Sequence, residues 1–148
     1  MSSKKYTIEE ILAKNGQYLA PTVGVSMLPM LKEGRDTIVI KPKTERLLPL
    51  DVALYRSGEK YLLHRVLAQT EGGYIIRGDN CYEDENVPEE AVFGVLTEFF
   101  RKDKHIFCSD ERYLRYVKRH LKTYKFRRVF YKIKRFIKKI LKALKVKK

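Results

Sequence analysis

The sequence lacks the features that direct a chain out of the cytoplasm or through a membrane. Residues 1–14 are polar, and they carry Glu9 and Glu10 where a signal peptide needs an apolar core. No run approaches the ~18 consecutive apolar residues of a membrane-spanning helix. These absences favour a cytoplasmic protein without a membrane span.

Cysteine is also scarce. The chain of 148 residues contains 2 cysteines, Cys81 and Cys108, which are too few for a disulfide framework. Two reduced thiols in a cytosolic protein are the simpler interpretation. Neither cysteine has the spacing of a zinc site, and His105 and His120 do not cluster with them. We therefore expect neither a metal ion nor a cofactor.

Acidic residues are nearly absent from the C-terminal third. Residues 101–148 contain 20 Lys and Arg against 3 Asp and Glu, whereas residues 1–100 contain 12 against 15. The net charge of +14 therefore belongs to the C-terminal part and not to the rest of the chain. We predict one domain over residues 1–108 and a basic tail over residues 109–148.

Local patterns predict a mainly β body. The run Thr7-Ile8-Glu9-Glu10 is typical of a capping box, and Gly16 is a suitable stop, which together predict a short N-terminal helix. Apolar runs separated by turn residues predict strands over Thr37–Ile40, Asp51–Arg56, Lys60–Leu67, Tyr74–Arg77 and Ala91–Leu96. Several strands at close spacing indicate a small antiparallel β-fold.

The tail is predicted to be a basic amphipathic helix, continuous or broken once. Ser109-Asp110-Glu111 is a typical helix start, and apolar residues then recur at steps of three and four with Lys or Arg between them. Such a helix suits an anionic membrane surface, the phosphates of a nucleic acid, or packing on a protein. We favour the membrane surface, because the apolar stripe is wide and aromatic.

Three segments of the body carry the residue types of nucleophilic catalysis. Ser26 is expected at a strand end with its backbone N–H free, and His64 lies within an apolar strand. Asp79 follows a glycine, and Asp84 lies in an acidic run. Serine, histidine and aspartate are the attacker, the base and the group that orients the base. Each segment alone also suits ordinary structure, but their combination and order favour a serine-type peptide hydrolase.

The same segments are similar to the conserved boxes of type I signal peptidases. The matching runs are Ser26-Met27-Leu28-Pro29-Met30-Leu31, Asp51-Val52-Ala53-Leu54-Tyr55, Leu63-His64-Arg65-Val66 and Arg77-Gly78-Asp79-Asn80. The likeness covers about residues 22–96. The usual bacterial enzymes of this family have a lysine base, whereas the archaeal and endoplasmic-reticulum type has a histidine, and this chain resembles the latter.

The resemblance implies roles for four residues. Ser26 would be the nucleophile, and His64 the general base and then the general acid. An aspartate, Asp79 or Asp84, would orient His64, and the sequence leaves the choice between them open. The implied fold is the β-fold that signal peptidases share with LexA-type repressors.

The chain also departs from the family. Leu50 stands where the family usually has glycine, and the N-terminal membrane span of signal peptidases is missing. We therefore expect a soluble relative, cytoplasmic and peripheral at the inner face of the membrane. It would be a serine endopeptidase that removes a leader or signal segment from a precursor.

Two alternatives remain. In the first, the chain is a catalytically inactive module whose tail binds an anionic membrane or, less favoured, a nucleic acid. In the second, it is a self-cleaving repressor-like protein. That function is the least favoured, because those proteins use a lysine base and the chain has no Ala-Gly pair to cleave.

Overall fold

The computed structural model describes residues 6–146 of the chain. The first helix, α1, spans Ile8–Asn15 and begins as its capping box predicts. The Thr7 hydroxyl accepts from the Glu10 N–H at 3.2 Å, and the Glu10 carboxylate accepts from the Thr7 N–H at 2.8 Å. Gly16 ends the helix with φ 69°, a left-handed conformation that glycine enters at little cost. The predicted N-terminal helix is therefore confirmed.

Within residues 6–146, eight strands form one antiparallel sheet. In chain order they are β1 Tyr18–Pro21, β2 Asp36–Pro42, β3 Val52–Ser57, β4 Lys60–Thr70, β5 Gly73–Arg77, β6 Glu85–Pro88, β7 Val92–Arg101 and β8 Lys104–Phe107. A single 3-10 turn over Glu89–Ala91 precedes β7. The spatial order is β1-β2-β7-β3-β4-β5-β6, with β8 paired to β7. The mainly β, antiparallel prediction is confirmed.

The core lies on one face of the central strands. Its buried members include Ala53 and Tyr55 of β3, Val66 of β4 and Ile76 of β5. These residues alternate along their strands, and the register pairs Val66 with Ile76 across β4 and β5. The pairing places their side chains on the same face of the sheet, and His64, which pairs with Ala53, shares that face.

The chain separates into two compact units, Met1–Leu114 and Arg115–Lys148. The sequence places the boundary earlier, after residue 108. Helix α2 spans Glu111–Lys122, and helix α3 spans Tyr124–Val146, so the predicted basic helix forms with one break at Thr123. Among residues 6–146, no helix combines the length and the apolar character that crossing a membrane requires.

Candidate active site

The Ser26 segment lies between β1 and β2 and is hydrogen-bonded to the loop after β5. The Asn80 backbone N–H donates to the Ser26 carbonyl at 2.8 Å, and the Asn80 side-chain amide donates to the Val25 carbonyl at 3.1 Å. Ser26 is half-buried. Within residues 6–146, neither its hydroxyl nor its backbone N–H has a hydrogen-bond partner. Both groups are therefore available to a ligand.

Gly78 brings the Ser26 segment and His64 together. A Cβ placed on Gly78 would lie 2.8 Å from the Ser26 carbonyl oxygen, 3.2 Å from His64 Cδ2 and 2.7 Å from Cys81 Sγ. No side chain fits there without moving backbone, so the position requires glycine. The Ser26 carbonyl and the edge of the imidazole ring therefore both border the space beside Gly78.

The His64 imidazole is held through one nitrogen only. His64, on β4, is 5% exposed, and its Nδ1 lies 3.0 Å from Glu85 Oε1 and 2.9 Å from the Tyr55 hydroxyl. The Tyr55 hydroxyl donates to Glu85 Oε2 at 3.0 Å. A carboxylate only accepts, so Nδ1 carries the proton and Nε2 carries the lone pair. Nε2 is buried, with no partner among residues 6–146.

The electrostatics of this cluster suit a base. Burial lowers the pKa of His64 below its ordinary value of 6.5, and the charges of Glu85 and Asp79 offset part of that effect. The imidazole is therefore neutral at neutral pH and able to accept a proton. Burial and the Glu85 carboxylate both raise the pKa of the Tyr55 hydroxyl, which keeps it protonated as a donor.

Asp79 serves as the partner of a buried arginine. Arg65 donates from Nε to Asp79 Oδ1 and from Nη2 to Asp79 Oδ2, each at 2.7 Å, and both side chains are 1% exposed. Arg65 also donates to the Leu50 carbonyl at 2.7 Å and to the Tyr113 hydroxyl at 3.2 Å. This buried network joins the loop after β5 to the strand that carries His64. Leu50 itself has φ 86°, in the region that glycine enters most easily.

Asp84 lies on the other face of the sheet from His64. It forms an ion pair with Arg77 Nη1 at 2.7 Å, and its side chain is 53% exposed. The register pairs Val66 with Ile76 and Ile76 with Glu85, so Glu85 shares the face of His64. Asp84 precedes the strand, and its partner Arg77 follows Ile76 on β5 and therefore lies on the opposite face.

The sequence-based expectation for the third residue therefore needs correction. The Ser26 carbonyl and the His64 ring both lie near Gly78, and Glu85, rather than Asp79 or Asp84, lies against Nδ1. By itself the acidic run 83–85 is typical of a solvated loop. Glu85 is the first residue of β6, and the register of β6 with β5, which no local pattern in the sequence reveals, separates Glu85 from Asp84.

A groove adjoins Ser26. Its volume is about 230 Å³, and the residues of the described chain that line it carry no charge. They come mainly from α1, β1, the Ser26 segment and the strands that face it, and they include Ala20, Ile38, Leu54 and Leu63. Such a surface suits the apolar side chains of an extended peptide.

No metal centre is evident in the described part of the chain, where no three His, Cys, Asp or Glu residues gather in a way that could hold an ion. Cys81 and Cys108 are both free thiols.

Comparison of the chain with protein-family models, curated proteins and solved structures gave no match. Function is therefore inferred from the geometry of Ser26, His64 and Glu85.

Proposed function

We propose that the protein is a serine endopeptidase in which Ser26 is the nucleophile, His64 the base and Glu85 the group that orients the base. The observation that carries this proposal is the state of the imidazole. His64 is buried, its Nδ1 faces a carboxylate, and its unpartnered Nε2 is part of a ring that borders the Ser26 segment. A buried imidazole that a carboxylate orients in this way activates a serine hydroxyl that comes within hydrogen-bond reach of Nε2.

The steps follow from these positions. Nε2 takes the hydroxyl proton as Ser26 Oγ forms a bond to the carbonyl carbon of the scissile peptide. Glu85 stabilises the resulting imidazolium, and the Ser26 N–H donates to the oxyanion. The imidazolium then gives its proton to the leaving amine as the C–N bond breaks, and an acyl-Ser26 ester remains. Water, deprotonated by Nε2, hydrolyses the ester and restores the hydroxyl.

The groove supports a substrate with apolar residues before the scissile bond. The residues of the described chain that line it carry no charge, which suits apolar side chains. A leader or signal segment of a precursor peptide or protein has this character. We therefore propose such a precursor as the substrate class.

The direct test compares three proteins on candidate precursor peptides. The native chain is expected to cleave at one bond, and Ser26→Ala and His64→Ala are each expected to lose at least a thousandfold in rate. Unfolding by urea provides the control that the variants keep their fold. Cleavage at equal rates by all three would remove both residues from the mechanism.

We further propose that the tail places the enzyme on an anionic membrane surface at the cytoplasmic leaflet. Helix α3 has 10 Lys and Arg and no Asp or Glu. Its apolar residues recur on one face and are exposed, with Phe126 at 72%, Phe130 at 70% and Phe136 at 64%. Over 23 residues the face is about 34 Å long. An exposed apolar face bordered by cations is typical of helices that lie in the headgroup region.

The second candidate, a module that binds through this tail without catalysis, is favoured by the same exposed helix. One experiment separates lipid from nucleic acid. The chain has no Trp, so Phe130→Trp provides a single probe on the apolar face and Arg135→Trp a matched probe on the cationic face. Phosphatidylglycerol vesicles should shift the emission of the Phe130→Trp protein to the blue and leave that of Arg135→Trp nearly unchanged. A response to duplex DNA and none to vesicles would favour the nucleic acid.

A further inference from the structure

Thr22 has a buried hydroxyl that the fold leaves without a partner. The residue directly follows β1, is 6% exposed, and its backbone N–H donates to the Asp36 carbonyl at 2.9 Å. Its Oγ1 atom has no hydrogen-bond partner among residues 6–146. Buried polar atoms are nearly always paired, so this exception requires an explanation.

The position of Thr22 supplies the explanation. Alternation along β1 places it on the same side as Tyr18 and Ala20, and all three line the groove that Ser26 also lines. Apart from Thr22, Ser26 and the hydroxyls of two tyrosines, the side chains that line the groove are apolar. A valine would fill the same volume without burying an unpaired hydroxyl, so the free protein gains nothing from the threonine at this point.

We propose that Thr22 is a substrate-binding residue, whose hydroxyl forms a hydrogen bond with the backbone of the peptide in the groove. An extended peptide carries an N–H and a C=O at every residue, and each needs a partner once it is buried. A hydroxyl can donate and accept, so it can pair with either group. Recognition of the backbone leaves the apolar lining to select the side chains. This inference rests on the proposed endopeptidase function.

The test uses two probes that phosphonylate a reactive serine. An alkyl fluorophosphonate reports on Ser26 and His64 alone, because it has no peptide to occupy the groove. The diphenyl phosphonate ester of an Ala-Leu-Ala peptide reacts at the same hydroxyl, but it must first bind through its backbone. In both reactions a P–O bond to Ser26 Oγ forms, His64 takes the proton, and fluoride or phenoxide leaves.

Thr22→Val should raise the concentration of the peptide phosphonate that gives half-maximal inactivation by about three- to tenfold. It should leave the rate with the alkyl fluorophosphonate unchanged, and Thr22→Ser should behave like the native chain with both probes. The melting temperature of Thr22→Val should equal or exceed that of the native chain, because the unpaired hydroxyl is gone. If the role of Thr22 were purely structural, Thr22→Val would lower the melting temperature.

Two results would overturn the inference and leave the endopeptidase intact. One is an unchanged half-maximal concentration of the peptide phosphonate for Thr22→Val. The other is an equal loss of rate with both probes, which would assign Thr22 to the structure of the site. If neither probe modified Ser26 in the native chain, the proposed function would fail, and the role of Thr22 would fail with it.

Discussion

The adjacent carboxylates Asp84 and Glu85 provide a matched pair of perturbations. Glu85→Gln removes the charge that faces His64 Nδ1 at 3.0 Å and keeps the size of the side chain. Asp84→Asn removes the charge of the neighbouring residue, which pairs with Arg77 on the other face of the sheet. Both changes replace a carboxylate with an amide, but only Glu85 contacts the His64 imidazole.

The expected effect of Glu85→Gln follows from its distance and its exposure. The Glu85 side chain is 39% exposed, so water screens its interaction with the imidazolium that forms during the reaction. With an effective dielectric constant of about 40 to 80, opposite charges 3 Å apart attract by about 1.5 to 3 kcal/mol. Loss of that attraction corresponds to a rate lower by roughly ten- to a hundredfold. This is less than the roughly 10⁴-fold effect of a buried triad aspartate, because Glu85 is partly solvated.

The assay is the rate at which an alkyl fluorophosphonate modifies Ser26, since that reaction needs the same deprotonation as peptide cleavage. Asp84→Asn should stay within about twofold of the native rate, because exposed ion pairs contribute little. In a plot of labelling rate against pH, the fall in rate on the acid side should move to lower pH in Glu85→Gln, because Glu85 raises the pKa of His64. The reasoning is refuted if Asp84→Asn is the slower variant, or if Glu85→Gln keeps the native rate.

Three further predictions concern the surroundings of the site. Gly78→Ala should destabilise the fold by about 1 to 3 kcal/mol and abolish labelling of Ser26, because the added Cβ would lie under 3 Å from the Ser26 carbonyl oxygen. The control Gly72→Ala should behave as the native chain, because its Cβ would have no atom within 4 Å. Asp79→Asn should lower the free energy of unfolding in urea by about 3 to 5 kcal/mol, because it leaves the buried charge of Arg65 without its carboxylate. A decrease in that free energy as small as the one caused by Asp84→Asn, at an exposed position, would contradict this prediction. The midpoint of the fall in the native labelling rate with pH should lie below 6.5, because burial lowers the pKa of His64, and a midpoint above that value would argue against a neutral buried base.

Elements with strong local signals could be predicted from the sequence. The capping box at Thr7 and the left-handed Gly16 define α1, and the apolar runs define β2 to β5 and β7. Alternation within β4 places His64 and Arg65 on opposite faces, as the sequence indicates, and the structure shows a different buried partner for each. The basic helix was also predictable, because its periodicity extends over many turns.

Features that depend on pairing between distant segments could not be predicted. Strand β6 has four residues, two of them charged or proline, and only its register with β5 makes it a strand. That register decides which of Asp84 and Glu85 meets His64. The buried Arg65–Asp79 pair likewise depends on the loop after β5 folding back onto β4, which no local pattern reveals. The Thr22 hydroxyl lacks a partner because of the residues that surround it in the groove, and these come from distant segments of the chain.

The most direct test of the account is to map, by mass spectrometry of the intact and digested chain, where an alkyl fluorophosphonate attaches. The account predicts a single adduct on Ser26, formed near neutral pH, absent from Ser26→Ala and strongly slowed in His64→Ala. Attachment at another residue, or on Ser26 at a rate that does not depend on His64, would contradict the claim that this imidazole activates this hydroxyl.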